Sequence, residues 1–97
     1  MPAPIADLTP IHPGEILVEE FLKPHGLSAY GAARRMHVPR TRIERLARGE
    51  TPVTVDTALR LGRLFGTTAQ FWLSLQNAYD LELETPADIA AIQPIAA

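Results

Sequence analysis

The chain has 97 residues, 46% of them hydrophobic and 21% charged, with a formal net charge of -2. That length and apolar content fit one small folded domain, and they exclude a disordered chain as well as a two-domain enzyme with a cleft between lobes. The absence of cysteine rules out disulfides, thiolate chemistry and sulfur-ligated metals, and with only three histidines, spread out in sequence, an imidazole metal site is not expected.

The longest uncharged stretch, between Arg63 and Asp80, is interrupted by Gly66, Thr67, Thr68, Gln70, Ser74, Gln76 and Asn77. It is too polar for a membrane span and reads as a buried or interfacial helix. The opening Met1 to Asp7 has neither the basic nor the apolar region of a signal peptide, so a soluble cytoplasmic protein is expected. Charge is uneven along the chain. Residues 28–63 hold Arg34, Arg35, Arg40, Arg42, Arg45, Arg48, Arg60 and Arg63 and carry a net +5, whereas residues 1–27 sum to -3 and residues 64–97 to -4. Arginine suits bidentate hydrogen bonding to phosphate or guanine, although on charge alone a solvated face laced with ion pairs is the simpler reading.

In chain order, residues 1–12, with Pro2, Pro4 and Pro10, read as an extended arm. Pro13-Gly14-Glu15 opens a first helix, with proline at its first turn and an acid near the positive end of the dipole; it runs to Pro24, where Gly26 supplies a positive-φ exit. Ser28 N-caps a short second helix through Tyr30, Ala32, Ala33 and Met36, which Gly31 weakens so that packing must hold it. After His37-Val38, Pro39 starts a third helix with Ile43, Leu46 and Ala47 inward and Arg40, Thr41, Arg42, Glu44, Arg45 and Arg48 outward, ending at Gly49. Beyond a loop over residues 50–53, Thr54 caps a fourth helix whose buried face is expected to be Val55, Ala58, Leu59, Gly62 and Phe65. Thr68 caps a fifth, with Phe71, Trp72, Leu75, Ala78 and Tyr79 on one face and Leu73, Leu81 and Leu83 off it. Phe71, Trp72 and Tyr79 are expected in the core. Thr85-Pro86-Ala87-Asp88 repeats the helix-start signal, and Pro94 keeps any sixth helix short. No stretch alternates as a strand does, and the chain reads all-α.

Residues 27–49 meet the physical need of a helix-turn-helix: a second helix that is short, projects its first turn, and is buttressed from within. Ala32 and Ala33 permit close approach, and Val38 and Ile43 fill the angle between the helices. His12 and Glu15 read as a helix-start pair rather than a metal or acid–base site, since no third ligand lies nearby. No nucleophile–base set is present, so an enzyme is not expected, nor any cofactor.

The run Thr41 to Gly49 resembles the recognition helix of the phage-repressor (XRE/Cro) helix-turn-helix family. More narrowly, His12-Pro13-Gly14-Glu15-Ile16-Leu17 with Glu19-Glu20-Phe21-Leu22 resembles the opening motif of the HigA-type, or VapI-like, antitoxins, and Thr57 to Gly62 with Gln70 to Gln76 resembles their later motifs. The resemblance spans about residues 9 to 84. It implies a five-helix phage-repressor-like domain over 13–84, followed by a C-terminal segment, 85–97, that matches no motif and is read as a short helix aiding dimerisation. It also implies a homodimer that binds a palindromic operator in double-stranded DNA, represses its own promoter and neutralises a RelE-like ribonuclease. Arg40, Thr41, Arg42 and Arg45 are the expected base readers; Ser28, Tyr30, Arg48 and Thr54 are expected at phosphates, with simple capping the alternative for Ser28. Arg34, Arg35, Arg60 and Arg63 are expected in surface ion pairs. In such domains glycine usually fills the position of His37, so a distorted turn is expected there. A fifth helix with more apolar positions than one stripe needs suggests a second buried surface, and a two-fold dimer through it and the C-terminal segment would set recognition helices about 34 Å apart. A stand-alone repressor and a protein-interaction module with an acidic partner are the alternative functions.

Overall fold

The computed structural model describes residues 9–96, so the first eight residues of the expected arm lie outside the described residues. All regular elements among those described are helical: α1 (Pro13–Ile16, continuing as a π-helical turn, Leu17–Leu22), α2 (Ala29–Met36), α3 (Arg40–Ala47), α4 (Val55–Phe65), α5 (Ala69–Leu83) and a 3-10 turn (Ile89–Ala91). The all-α, five-helix expectation holds.

The π-helical turn departs from the regular helix expected. Lys23 N–H reaches Val18 C=O at 3.0 Å, five residues back. The widened turn brings Leu22 round toward the face of Leu17, and both are buried. Leu17 and Leu22 join Ala32, Ala33, Met36, Ile43, Leu46, Val53, Ala58, Leu61 and Trp72 in one core. Phe21 meets Phe65 at 5.1 Å and Trp72 at 4.9 Å between ring centroids, tying α1 to the α4–α5 pair. Gly14 sets the other contact of α1. A Cβ there would stand 1.8 Å from the carbonyl oxygen of Leu46, so the backbones of α1 and α3 touch where only glycine fits.

Two helix faces differ from expectation. On α4 the buried residues are Thr57, Ala58, Leu61 and Gly62, while Val55 and Leu59 are exposed. The buried stripe keeps Ala58 and Gly62 but is rotated by roughly 60° about the helix axis, so that Thr57 and Leu61 replace Val55 and Leu59; Gly62 lies against the backbone of residues 67–69. On α5 the buried residues are Trp72 and Gln76; Tyr79 is half-buried, and Phe71 and Ala78 are exposed. A polar side chain holds the inward position one turn after Trp72 because it has work there. Gln76 Oε1 accepts from Val53 N–H at 2.8 Å, and Gln76 Nε2 donates to Asp80 at 2.9 Å. After α5, the start signal at residues 85–88 yields only the 3-10 turn, and residues 80–96 are exposed throughout.

Candidate nucleic-acid interface

The turn between α2 and α3 is regular, contrary to the expected distortion. His37 adopts φ 60°, ψ 43°. Its N–H bonds to Arg34 C=O at 3.2 Å and Val38 N–H bonds to Ala33 C=O at 3.1 Å, which together form a Schellman closure. Histidine therefore occupies a left-handed position that glycine would fill at less steric cost. Ser28 Oγ accepts from Gly31 N–H at 2.9 Å and Thr54 Oγ1 from Thr57 N–H at 3.3 Å, so both expected phosphate contacts also cap helices.

α3 shows the expected polarity: Ile43 and Leu46 are buried beneath it, whereas Arg40, Thr41, Arg42 and Arg45 are exposed. Thr41, Arg42, Arg45 and Thr54 line one groove with Asp56 and Thr57 at the start of α4. Arg40 leans on Tyr30 of α2, its guanidinium carbon 4.8 Å from the centre of the ring, and the guanidinium carbon of Arg34 lies 5.9 Å from the same centre. Arg48 is set apart. It lines a different hollow, with His12, Glu15 and Gly49, and pairs with Glu50 at 2.9 Å.

Carboxylates thread this arginine surface. Arg40 pairs with Glu44 at 3.0 Å, and Arg42 pairs with Asp56, which also takes Arg60 Nε at 2.9 Å. Arg60 in turn donates to Met36 C=O at 2.9 Å, closing off the end of α2. Hydrogen bonds from Arg60 and Arg42 hold the Asp56 carboxyl below its usual range, and the bond from Arg48 does the same to Glu50. Hydrogen bonding to Glu44 and Glu50 holds Arg40 and Arg48 above the ordinary guanidinium value. Of the four arginines expected in ion pairs only Arg60 forms one; among the described residues Arg34, Arg35 and Arg63 have no carboxylate partner, and neither does Arg45.

Sequence reading missed Glu44 and Asp56 as partners of the site. The i,i+4 spacing of Arg40 with Glu44 and of Asp56 with Arg60 was a usable signal, but the contact of Arg42 with Asp56 spans 14 residues and depends on the fold. His12 also proved structural: its Nδ1 accepts Gly14 N–H at 2.9 Å and its ring packs edge-on to Tyr79 at 4.8 Å. Among the described residues no group of His, Asp and Glu is placed to hold a metal, and no helix is long and apolar enough to cross a membrane.

Residues 18–72 match the helix-turn-helix family, more than half of the chain. The chain belongs to the helix-turn-helix family. Within it the chain is of the phage-repressor (XRE/Cro) kind and the HigA-type, VapI-like branch, in line with the motif resemblance. It is 52% identical over 83 residues to virulence-associated protein I of Dichelobacter nodosus, covering 86% of this chain and 77% of that protein. It is 38% identical over 72 residues to antitoxin HigA-1 of Vibrio cholerae, covering 74% and 67% respectively. Among solved structures, Pseudomonas aeruginosa antitoxin HigA with the higBA promoter superposes with a TM-score of 0.82 at 38% identity, covering 90% of this chain and 99% of that one. Helix-turn-helix members of this branch are regulators and antitoxins rather than an enzyme class.

Proposed function

We propose that this chain is a promoter-binding antitoxin. Two copies grip a palindromic operator in double-stranded DNA, repress the promoter of their own operon, and neutralise a RelE-like ribonuclease in the cytoplasm. The observation that carries the reading is the first turn of α3, where exposed Arg40, Thr41 and Arg42 stand on a back of fully buried Ile43 and Leu46. A turn built this way enters a major groove with its side chains at base edges. Its support from known proteins is the HigA structure solved with promoter DNA, which shares the fold over nearly its whole length.

In this reading Arg40, Thr41, Arg42 and Arg45 contact base edges. Ser28, Tyr30, Arg48 and Thr54 contact phosphates, with Tyr30 also steadying Arg40 through its ring face. The exposed apolar side chains Leu81, Leu83, Ile89 and Ile92 supply the surface for a second copy, so that α5 and residues 85–97 pair two recognition helices. The toxin, a basic ribonuclease, docks on the acidic side of the first helix, where Glu15, Glu19 and Glu20 border a hollow with Pro10, Ile11 and Ile16.

Co-purification with the product of the neighbouring reading frame tests the antitoxin role. A stable complex with a small basic protein that loses ribonuclease activity on binding is expected. Promoter binding with no such partner leaves a stand-alone repressor instead. If neutralising Glu19 and Glu20 leaves a toxin complex intact, the docking surface lies elsewhere.

A further inference from the structure

Most arginines of the α3 surface are paired rather than free; among the described residues Arg45 is the exception, with no carboxylate partner. Arg40, Arg42 and Arg48 are each held by a carboxylate, from Glu44, Asp56 and Glu50. Glu44 and Glu50 lie within four residues of their partners and pair locally. Asp56 differs. It sits in the first turn of α4, and one oxygen, Oδ2, takes both Arg42 from α3 and Arg60 from its own helix. Arg60 is fixed a second time by the Met36 carbonyl, at 2.9 Å. One carboxylate thus spans the ends of α2, α3 and α4, with roughly half its side chain open to solvent on the side where Arg42, Arg45 and Thr54 form a groove.

Non-specific affinity for DNA comes from arginine and lysine neutralising phosphates, each contact releasing counterions. A fixed negative charge beside Arg42 opposes that contact in two ways. It engages the guanidinium, and it repels the phosphate that would replace it. A base edge in the major groove offers Arg42 neutral acceptors and does not meet this repulsion to the same degree. From this geometry, resting on the DNA-binding reading above, we infer that Asp56 is a specificity-determining residue, a carboxylate filter that withholds Arg42 from indiscriminate phosphate binding and favours its use on the operator.

The test is fluorescence-anisotropy titration of two duplexes of equal length, the chain's own promoter sequence and a scrambled one, across a salt series. The wild-type protein is compared with Asp56→Asn and with Arg60→Gln, which keeps the carboxylate but removes its second anchor. Asp56→Asn should tighten the scrambled duplex by about threefold and steepen its salt slope by about one phosphate contact, lowering the promoter-to-scrambled affinity ratio. Arg60→Gln leaves the carboxylate in place with one cation fewer beside it and should not tighten the scrambled duplex; tightening as large as that of Asp56→Asn overturns the inference. A thermal melt of each variant separates stability from binding, since partial unfolding would weaken both duplexes together. Equal weakening of both by Asp56→Asn, or an unchanged ratio and slope, overturns the inference while leaving the DNA-binding reading in place. A wild-type protein with no preference for the promoter overturns that reading and the inference with it.

Discussion

His12 joins three parts of the molecule. Its Nδ1 caps α1 through Gly14 N–H, its ring lies against Tyr79 of α5, and a Cβ built on Gly49, just past α3, would touch it at 3.6 Å. Only an unprotonated Nδ1 can accept that bond, and burial pushes the His12 pKa below its ordinary value, more than the Thr51 carbonyl and the charge of Asp80 raise it. The folded state therefore binds fewer protons than the unfolded one below about pH 6.5, and stability is full above that pH and falls as the pH drops through the lowered value. The melting temperature should decline between pH 7 and pH 5, with a shallower decline in His12→Asn, which retains a capping acceptor without titrating. An equal decline in both proteins would place the titrating group elsewhere. His37 gives a residue-scale prediction of opposite sign. At φ 60° it bears the steric cost of a left-handed backbone, and His37→Gly relieves it, partly offset by the greater entropy that glycine loses on folding. A gain of about 0.5–1 kcal/mol is expected from urea denaturation; a loss would mean that the imidazole makes contacts worth more than the strain.

At the scale of elements, caps and stops were legible in the sequence. Ser28, Thr54 and Thr68 each cap the helix expected of them, and Gly26, Gly49 and Gly66 take the positive φ that a helix exit needs. What was not legible is how each helix rolls on its neighbours. Val55 and Leu59 on one side of α4, and Thr57 and Leu61 on the other, are both consistent with helical spacing around Ala58 and Gly62, and only packing against the rest of the core buries the second pair. Gln76 escaped a reading of apolar periodicity for a similar reason, since its inward position is set by a backbone donor 23 residues away. Gln76→Leu should keep the shape but strand the Val53 N–H, at a cost of about 1–3 kcal/mol. Gly14→Ala should be harsher, above about 3 kcal/mol, because its methyl meets backbone rather than a yielding side chain. Chemical denaturation measures both; a Gly14→Ala protein as stable as wild type would mean that α1 can lift from α3 without loss.

For the whole molecule, the question is what the exposed apolar residues after the core are for. Leu81, Leu83, Ile89, Ile92 and Ile95 are 76%, 56%, 49%, 65% and 98% exposed, more than a monomer of this size leaves open along one segment without a use. Removing residues 85–97 should leave helicity and the core intact, shift the protein from dimer to monomer in sedimentation, and weaken operator binding through lost bivalency. A truncated chain that still sediments as a dimer would confine the interface to the helices. The position of the candidate DNA face was readable in the sequence because eight arginines crowd one third of the chain and helical spacing puts four of them on the open side of α3. Glu44 and Glu50 pair with Arg40 and Arg48 within four residues, whereas Asp56 reaches Arg42 across 14 residues and only the fold brings the two together.

If the first turn of α3 reads an operator, the affinity of an Arg40→Ala/Arg42→Ala double variant for its own promoter duplex must show it. Both side chains are exposed and their ion pairs lie at the surface, so the thermal melt should shift by no more than a few degrees. Promoter affinity should fall by at least about a hundredfold, as expected for two lost base contacts. A double variant that binds the promoter as tightly as the wild type would contradict the account.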